Sequence, residues 1–90
     1  MANWTFITNH GAVLLVINKH GNITAREIAA EIGITERSVM RIINDLEAAN
    51  YIERQREGRR NIYHIHPEVL LRHEMTKETA VGELLQVLAS

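Results

Sequence analysis

The sequence predicts a mostly α-helical domain with one small β-hairpin, in the order helix, helix, helix, hairpin, helix. Three observations lead to this prediction. N-capping residues and glycines bracket short apolar stretches, two β-favouring runs flank a glycine, and an apolar stripe at helical spacing lies near the C-terminus. The chain has 90 residues, of which 46% are hydrophobic, so its length suits one small domain.

Composition excludes several classes of function. Ten lysines and arginines against eleven aspartates and glutamates give a net charge of −1, which argues against coating nucleic acid or membranes by charge alone. The absence of cysteine excludes disulfides and thiolate metal sites. The longest apolar run, residues 12–17, is far shorter than the roughly 20 residues of a membrane span, so we expect a cytoplasmic protein without a membrane partner.

The first two helices are predicted from the residues at their ends. Thr8 is a candidate N-cap for a helix that runs to about His20, and Gly21 can adopt the positive φ that commonly ends a helix. Thr24-Ala25-Arg26-Glu27 has the spacing of a capping box, in which the threonine hydroxyl and the glutamate side chain bond to each other's backbone N–H groups. Gly33 ends the short helix that this box begins.

The third predicted helix begins at Thr35 and runs to about Ala49, and Asn50 is suited to the left-handed position that follows. At about 100° per residue its apolar side chains lie on one side, and these are Val39, Ile42, Ile43 and Leu46. The opposite side carries polar groups, namely Arg37, Arg41 and Asn44, with Ser38 and Met40 beside them.

The character of the sequence changes after Asn50. Residues 51–56 and 61–66 favour β-structure and flank Glu57-Gly58-Arg59-Arg60, which predicts a hairpin with Ile52, Tyr63 and Ile65 in the core. Pro67 cannot continue a central strand and is suited to open a helix. We therefore expect residues 68–89 to be helical, either as one helix or as two divided by the polar residues 72–79.

Residues 24–46 have what a DNA-binding helix-turn-helix requires. Ala29 is a small residue where the helices cross, Gly33 tolerates positive φ in the turn, and Val39 is a branched residue that locks the second helix. The remaining apolar positions are filled by Ile28, Ile32, Ile34 and Ile42. With the hairpin that follows, residues 8–66 resemble the winged helix-turn-helix transcription regulators of the broad MarR/ArsR-like group.

The resemblance implies a sequence-specific regulator that binds double-stranded DNA. The recognition helix, residues 35–49, is expected to enter the major groove, where arginine suits guanine and asparagine suits adenine. The hairpin is expected to act as the wing, with its arginine-rich residues 54–60 on the backbone or in the minor groove. The DNA-binding residues expected are Thr35, Arg37, Ser38, Arg41, Asn44, Arg54, Arg56, Arg59 and Arg60. The simpler alternative is a solvated arginine face.

The apolar stripe near the C-terminus predicts contact with a second copy of the chain. Its residues recur at helical spacing, and two aromatic residues add apolar surface near the N-terminus. The expected homodimer interface consists of Trp4, Phe6, Val81, Leu84, Leu85 and Leu88. The alternative is that the helix folds back onto its own domain. We expect residues 1–66 to form the winged-helix DNA-binding domain with a short N-terminal arm, and residues 67–90 a helical dimerisation segment.

Two other functions stay open on the sequence alone. A winged helix can contact protein or RNA, in which case the arginine face would meet an acidic partner. Alternatively, His64 and His66 on one side of a strand, joined by His73, could bind a metal and make the chain a metal-responsive regulator. No catalytic constellation or glycine-rich phosphate loop is present, so we expect neither an enzyme nor a cofactor, and no small-molecule effector is identifiable.

Overall fold

The structure is a computed structural model that describes residues 4–89, so residues 1–3 of the predicted arm and residue 90 lie outside the described part. The elements are α1 (Asn9–His20), α2 (Ala25–Ile32), α3 (Glu36–Ala48), β1 (Ile52–Glu57), β2 (Arg60–Ile65) and α4 (Val81–Ala89). This order confirms the predicted fold class, a mostly helical winged helix-turn-helix. None of the helices described is long and apolar enough to cross a membrane.

The first three helices begin and end as the sequence predicts. The hydroxyls of Thr8 and Thr35 each accept a hydrogen bond from a backbone N–H in the first turn of α1 and α3. At α2, the Thr24 hydroxyl accepts from the Glu27 N–H at 3.1 Å, and the Glu27 carboxylate accepts from the Thr24 N–H at 2.9 Å. Gly33 has φ +86°, and this left-handed conformation provides the turn between α2 and α3.

The core lies where α1, α2, α3 and α4 meet the base of the hairpin. Its buried side chains come from every helix and both strands, and they are Val13, Leu14, Ile17, Ile23, Ile28, Ala29, Val39, Ile42, Ile43, Leu46, Tyr51, Ile52, Tyr63, Val81 and Leu85. All four apolar residues predicted for the inner side of α3 are among them. Ile32 and Ile65 are only half-buried and pack against this cluster. The inner side of α3 is therefore fixed by the core, and its outer side is left to solvent.

The wing, residues 52–65, is a two-stranded antiparallel hairpin. Ile52 lies opposite Ile65 at its base, and Glu57 lies opposite Arg60 at its tip. The connection is thus the two residues Gly58 and Arg59. Gly58 has φ +62°, whereas Arg59 does not have a positive φ, which is the pattern of a type II′ turn. Arg59 therefore stands at the tip of the wing, and Arg60 belongs to β2.

The prediction of helix over residues 68–89 is wrong for its first part, because only Val81–Ala89 is helical. Residues 67–80 form an irregular loop that closes on itself. Leu70 and Ala80 form an antiparallel bridge, and the Leu71 N–H donates to the Thr79 carbonyl at 2.9 Å. The Tyr51 hydroxyl also donates to the Leu70 carbonyl at 2.7 Å. Backbone groups that a helix would pair locally are thus paired across the loop and to the core.

Pro67 does not open a helix but supports the start of α4. Its carbonyl accepts the Gly82 N–H at 2.9 Å. A Cβ at Gly82 would lie 2.6 Å from Cβ of Pro67 and 2.9 Å from its carbonyl oxygen. Glycine is therefore required at this position of α4 because Pro67 of the same chain lies against it.

Helix α4 folds back onto α1, which corrects part of the predicted dimer interface. Val81 and Leu85 are buried in the core of the chain's own fold. Leu84 is half-buried, and Leu88 is 38% exposed. A domain this small has little core of its own, so the inner side of α4 supplies core residues. An apolar stripe in the sequence cannot by itself show whether its residues belong to this core or to a dimer interface.

Candidate nucleic-acid interface

Two arginines stand on the outer side of α3, opposite its buried residues. Arg37 and Arg41 are exposed and four residues apart, so they lie one above the other on the helix. Neither side chain forms an ion pair or a hydrogen bond with any other described residue. Each guanidinium group therefore keeps its five N–H donors for a partner outside the chain.

Thr35 and Ser38, at the N-terminal end of α3, bond to each other. The Thr35 hydroxyl accepts from the Ser38 N–H at 3.0 Å and donates to the Ser38 hydroxyl oxygen at 2.9 Å. The Thr35 proton is thus used within the helix cap. Ser38 keeps its own hydroxyl proton, which makes it the better candidate of the two for donating to a phosphate.

Asn44 and Arg54, which the sequence assigns separately to the helix and the wing, are in contact. Arg54 Nη2 donates to Asn44 Oδ1 at 3.1 Å and lies 3.3 Å from Glu47 Oε1. Asn44 is exposed, whereas Arg54 is only 28% exposed. The structure therefore brings these two predicted residues together, and the guanidinium group of Arg54 is already bonded to side chains of α3.

The other wing arginines differ in whether their side chains are hydrogen-bonded within the chain. Arg56 Nε donates to the Gly58 carbonyl at 2.9 Å, which ties this side chain across the turn. Arg60 Nη2 donates to Glu27 Oε1 of α2 at 3.1 Å. Arg59, at the tip, is exposed and makes no ion pair or hydrogen bond to the residues described. Of the four arginines predicted in the wing, Arg59 is thus the most available to a ligand.

Glu27 connects the wing to the start of α2. Its carboxylate accepts hydrogen bonds from the N–H and hydroxyl of Thr24 and from the guanidinium group of Arg60. The two bonds from Thr24, followed by the positive charge and hydrogen bond of Arg60, hold the pKa of this carboxyl below its usual value. Glu27 is therefore a stable anion at neutral pH and a fixed partner for Arg60.

A cavity of about 180 Å³ lies between the wing and the N-terminal ends of α2 and α3. Three arginines line it, namely Arg26, Arg59 and Arg60. Arg26 is exposed and forms no ion pair within residues 4–89, and it was not among the predicted DNA-binding residues. Its place in the first turn of α2 was readable from the sequence. That the wing lies over this turn was not, because β2 is more than thirty residues away along the chain.

The three histidines that were candidates for a metal site each have a different partner within the chain. His64 Nε2 bonds to Gln55 Oε1 at 2.8 Å, while His66 Nε2 lies 3.5 Å from Glu53 Oε2. His73 Nδ1 accepts a backbone N–H within the 67–80 loop. Within the described part of the chain, no group of three or more metal-ligating side chains is placed to hold an ion.

The N-terminal aromatic residues assigned to the dimer interface are exposed in a single chain. Trp4 is 64% and Phe6 91% exposed. Their rings meet edge to face, with centroids 5.2 Å apart, which is a favoured aromatic geometry. This pair and the half-exposed Leu84 and Leu88 are the predicted interface residues that the chain's own core leaves accessible.

Comparison with known proteins agrees with the fold and with the helix-turn-helix. The model of the MarR family matches residues 5–60. An uncharacterized protein of Methanocaldococcus jannaschii is 37% identical over 59 residues, which is 64% of this chain but 13% of that protein. The chain thus spans about an eighth of this relative's length. Because the family model covers more than half of the chain and the structure has the corresponding elements, the protein belongs to the MarR family of winged helix-turn-helix transcription regulators, a family of regulators rather than of enzymes.

Proposed function

We propose that this protein is a sequence-specific double-stranded DNA-binding regulator of transcription that acts in the cytoplasm. In this proposal α3 lies in the major groove and the wing contacts the adjacent backbone or minor groove. The observation that carries it is the pair Arg37 and Arg41, two exposed guanidinium groups without a partner among residues 4–89, on a helix whose other side is buried.

The anchoring of α3 supports its use in reading bases. Val39 and Ile43 are fully buried, so the helix cannot rotate about its axis without opening the core. Arg41, halfway along the helix, is our candidate for a bidentate contact to guanine, which is worth about 1–3 kcal/mol of discrimination. Arg37, nearer the N-terminus, can reach a base or a phosphate from the same side.

The wing and the start of α2 support contacts that do not depend on sequence. Arg59 at the tip and Arg26 beside the same cavity are exposed and free of ion pairs to the described residues. We propose that both neutralise phosphates, with Ser38 as a further hydrogen-bond donor. Residues 37–66 contain six arginines and four carboxylates, so a few positioned cations provide the affinity.

We also propose that the protein works as a homodimer. Trp4, Phe6, Leu84 and Leu88 are our candidates for the contact between copies, since their side chains are accessible in the single chain. In this arrangement residues 1–66 bind DNA, and residues 67–90, in which α4 packs against α1, add to the dimer contact. Two-fold symmetry then requires a palindromic site with half-sites about 10 bp apart, or a multiple of that spacing.

The test is selection of bound sequences from a pool of random duplexes, followed by affinity measurements over a range of salt concentrations. We expect a palindrome to be enriched, and binding to weaken with salt with a slope near −0.9 per phosphate neutralised. Absence of any duplex binding at low salt would contradict the proposal and favour a protein or RNA partner. For variants that remove one arginine from α3 or from the wing, the charge-matched control is Lys77→Ala. Lys77 belongs to the 67–80 loop, where it pairs with Glu74.

A further inference from the structure

Asn44 and Arg54 were both expected to contact DNA, but the contact between them changes what each can do. Arg54 comes from β1 at the base of the wing and is opposite the buried Tyr63. Its Nη2 bonds to Asn44 Oδ1 at 3.1 Å and to Glu47 Oε1 at 3.3 Å. One guanidinium group therefore joins two polar residues of α3, three positions apart, to the wing.

The burial of Arg54 makes it unsuited to reach a phosphate or a base. Its side chain is about one-quarter exposed, and its Nε is enclosed without a hydrogen-bond partner among the described residues. Extending toward DNA would break the ion pair with Glu47 and the bond to Asn44. By contrast, Arg59 can bind a ligand without losing an ion pair or a hydrogen bond to any residue that the structure describes.

The bond from Arg54 determines which way the Asn44 side-chain amide faces. Oδ1 is turned toward the guanidinium group, so Nδ2 with its two protons is turned away from it. Because Oδ1 accepts from a cation, the amide is polarised and its N–H groups become stronger donors. Adenine recognition by asparagine uses Oδ1 as an acceptor for N6 together with Nδ2 as a donor to N7. Guanine presents two acceptors, O6 and N7, at the same edge.

We propose that Arg54 is a positioning residue that presents Asn44 as a hydrogen-bond donor to the acceptor edge of guanine, and that it makes no DNA contact of its own. This inference rests on the proposed function, since it requires α3 to lie in the major groove. It replaces two expectations from the sequence, the pairing of Asn44 with adenine and the binding of DNA by Arg54.

The experiment compares full-length wild type with Asn44→Ala, Arg54→Met and Arg54→Lys in duplex selection and in salt-titrated affinity. The base pair read by Asn44 is the one whose preference Asn44→Ala abolishes. We expect guanine there in the wild type. Arg54→Met should lower discrimination at this same base pair by about five-fold or more without changing the salt slope. Arg54→Lys keeps a donor and should restore most of the discrimination.

The possible results separate this inference from the proposed function. Adenine at the base pair read by Asn44 would overturn the inference while leaving DNA binding intact. So would a drop of about one unit in the salt slope of Arg54→Met, since that is the signature of a lost phosphate contact. If the wild type enriches no sequence, the proposed function fails and the inference fails with it. Should Arg54→Met unfold, the identity of the base read by Asn44 still decides the matter.

Discussion

At the scale of single residues, the arginines predicted to bind DNA differ in the contacts that they make within the chain. Arg37, Arg41 and Arg59 have no internal partner among the described residues, whereas Arg54 and Arg60 are paired with carboxylates. The sequence indicated which arginines belong to α3 and to the wing. It could not indicate which were occupied, because the partner of Arg60 is 33 residues away along the chain.

Arg41 and Arg59 should respond differently to removal. We expect Arg41→Ala to relax specificity at one base pair at a cost of about 1–3 kcal/mol. Arg59→Ala should instead weaken binding to all duplexes alike and lower the salt slope by about one unit. Affinities for the selected duplex and for a scrambled duplex, each at several salt concentrations, measure both effects. Equal losses on the two duplexes for both variants would contradict these roles.

Glu27→Gln tests whether the ion pair with Arg60 restrains a DNA contact. Glutamine can still serve the capping box, so we expect the unfolding free energy to change little, as is usual for an exposed pair. Arg60 is then free to meet a phosphate, and duplex affinity and salt slope should both rise. Glu74→Gln, which breaks the exposed pair with Lys77, is the matched control. An unchanged slope in Glu27→Gln would mean that Arg60 serves only to hold the wing.

At the scale of elements, the ends of the first three helices were predictable because local side chains determine them. Thr24 and Glu27 lie within one turn of each other, and their mutual bonds depend on nothing distant. Residues 67–80 were not predictable in this way. Their backbone groups bond to each other across the loop and to Tyr51, and such contacts leave no periodic signal in the sequence.

The substitution Gly82→Ala tests whether helix propensity or packing decides the stability of α4 at this position. Propensity alone favours alanine over glycine inside a helix by about 1 kcal/mol. The structure predicts the opposite sign, because the added Cβ would lie 2.6 Å from Cβ of Pro67, and overpacking typically costs about 1–3 kcal/mol. Chemical denaturation of Gly82→Ala measures the difference. Gln86→Ala, at an exposed position of the same helix, should be nearly neutral, and stabilisation by Gly82→Ala would refute the close approach.

Tyr51 makes the attachment of the 67–80 loop sensitive to alkaline pH. Burial raises the pKa of its hydroxyl, and the opposing charge of Arg72 only partly offsets this. Tyrosine in the unfolded chain ionises near pH 10, whereas in the folded chain the hydroxyl keeps its proton to a higher pH and donates it in a hydrogen bond to the Leu70 carbonyl. The stabilisation is therefore complete below about pH 10 and is lost as the pH rises through the folded pKa.

Tyr51→Phe should reduce this alkaline loss of stability and, by removing one hydrogen bond, lower the free energy of unfolding at neutral pH by about 1 kcal/mol. Unfolding measured between pH 7 and pH 11 checks both effects. The variant should keep part of the alkaline dependence, because burial also raises the pKa of Tyr63. Identical pH profiles for wild type and variant would exclude this role of Tyr51.

At the scale of the whole molecule, the net charge of −1 conceals an uneven distribution. Residues 37–66 have two more positive than negative side chains, and the segments before and after them are acidic. Such a chain gains little from long-range attraction to DNA. Two copies in fixed geometry would double the number of arginines placed against the DNA. The homodimer therefore matters to the proposed function because it raises affinity without a change in the charge of each chain.

The homodimer can be tested by light scattering. We expect the wild type to have twice the mass of one chain, and the double variant Trp4→Ser, Phe6→Ser to shift toward the monomer without loss of helix content. Met75→Ser removes another exposed apolar side chain, which lies in the 67–80 loop, and serves as the control. A monomeric wild type at micromolar concentration would contradict the dimer.

The wing is attached to the helices at both of its ends, at its base through Arg54 to α3 and near its tip through Arg60 to α2. Its orientation is therefore settled when the chain folds, so less conformational entropy remains to be lost on binding a ligand. The attachment near the tip is an ion pair at the surface, and dissolved salt screens it. Ionic strength would thus act on this protein twice, by competing for the phosphates and by loosening the hairpin that reaches for them.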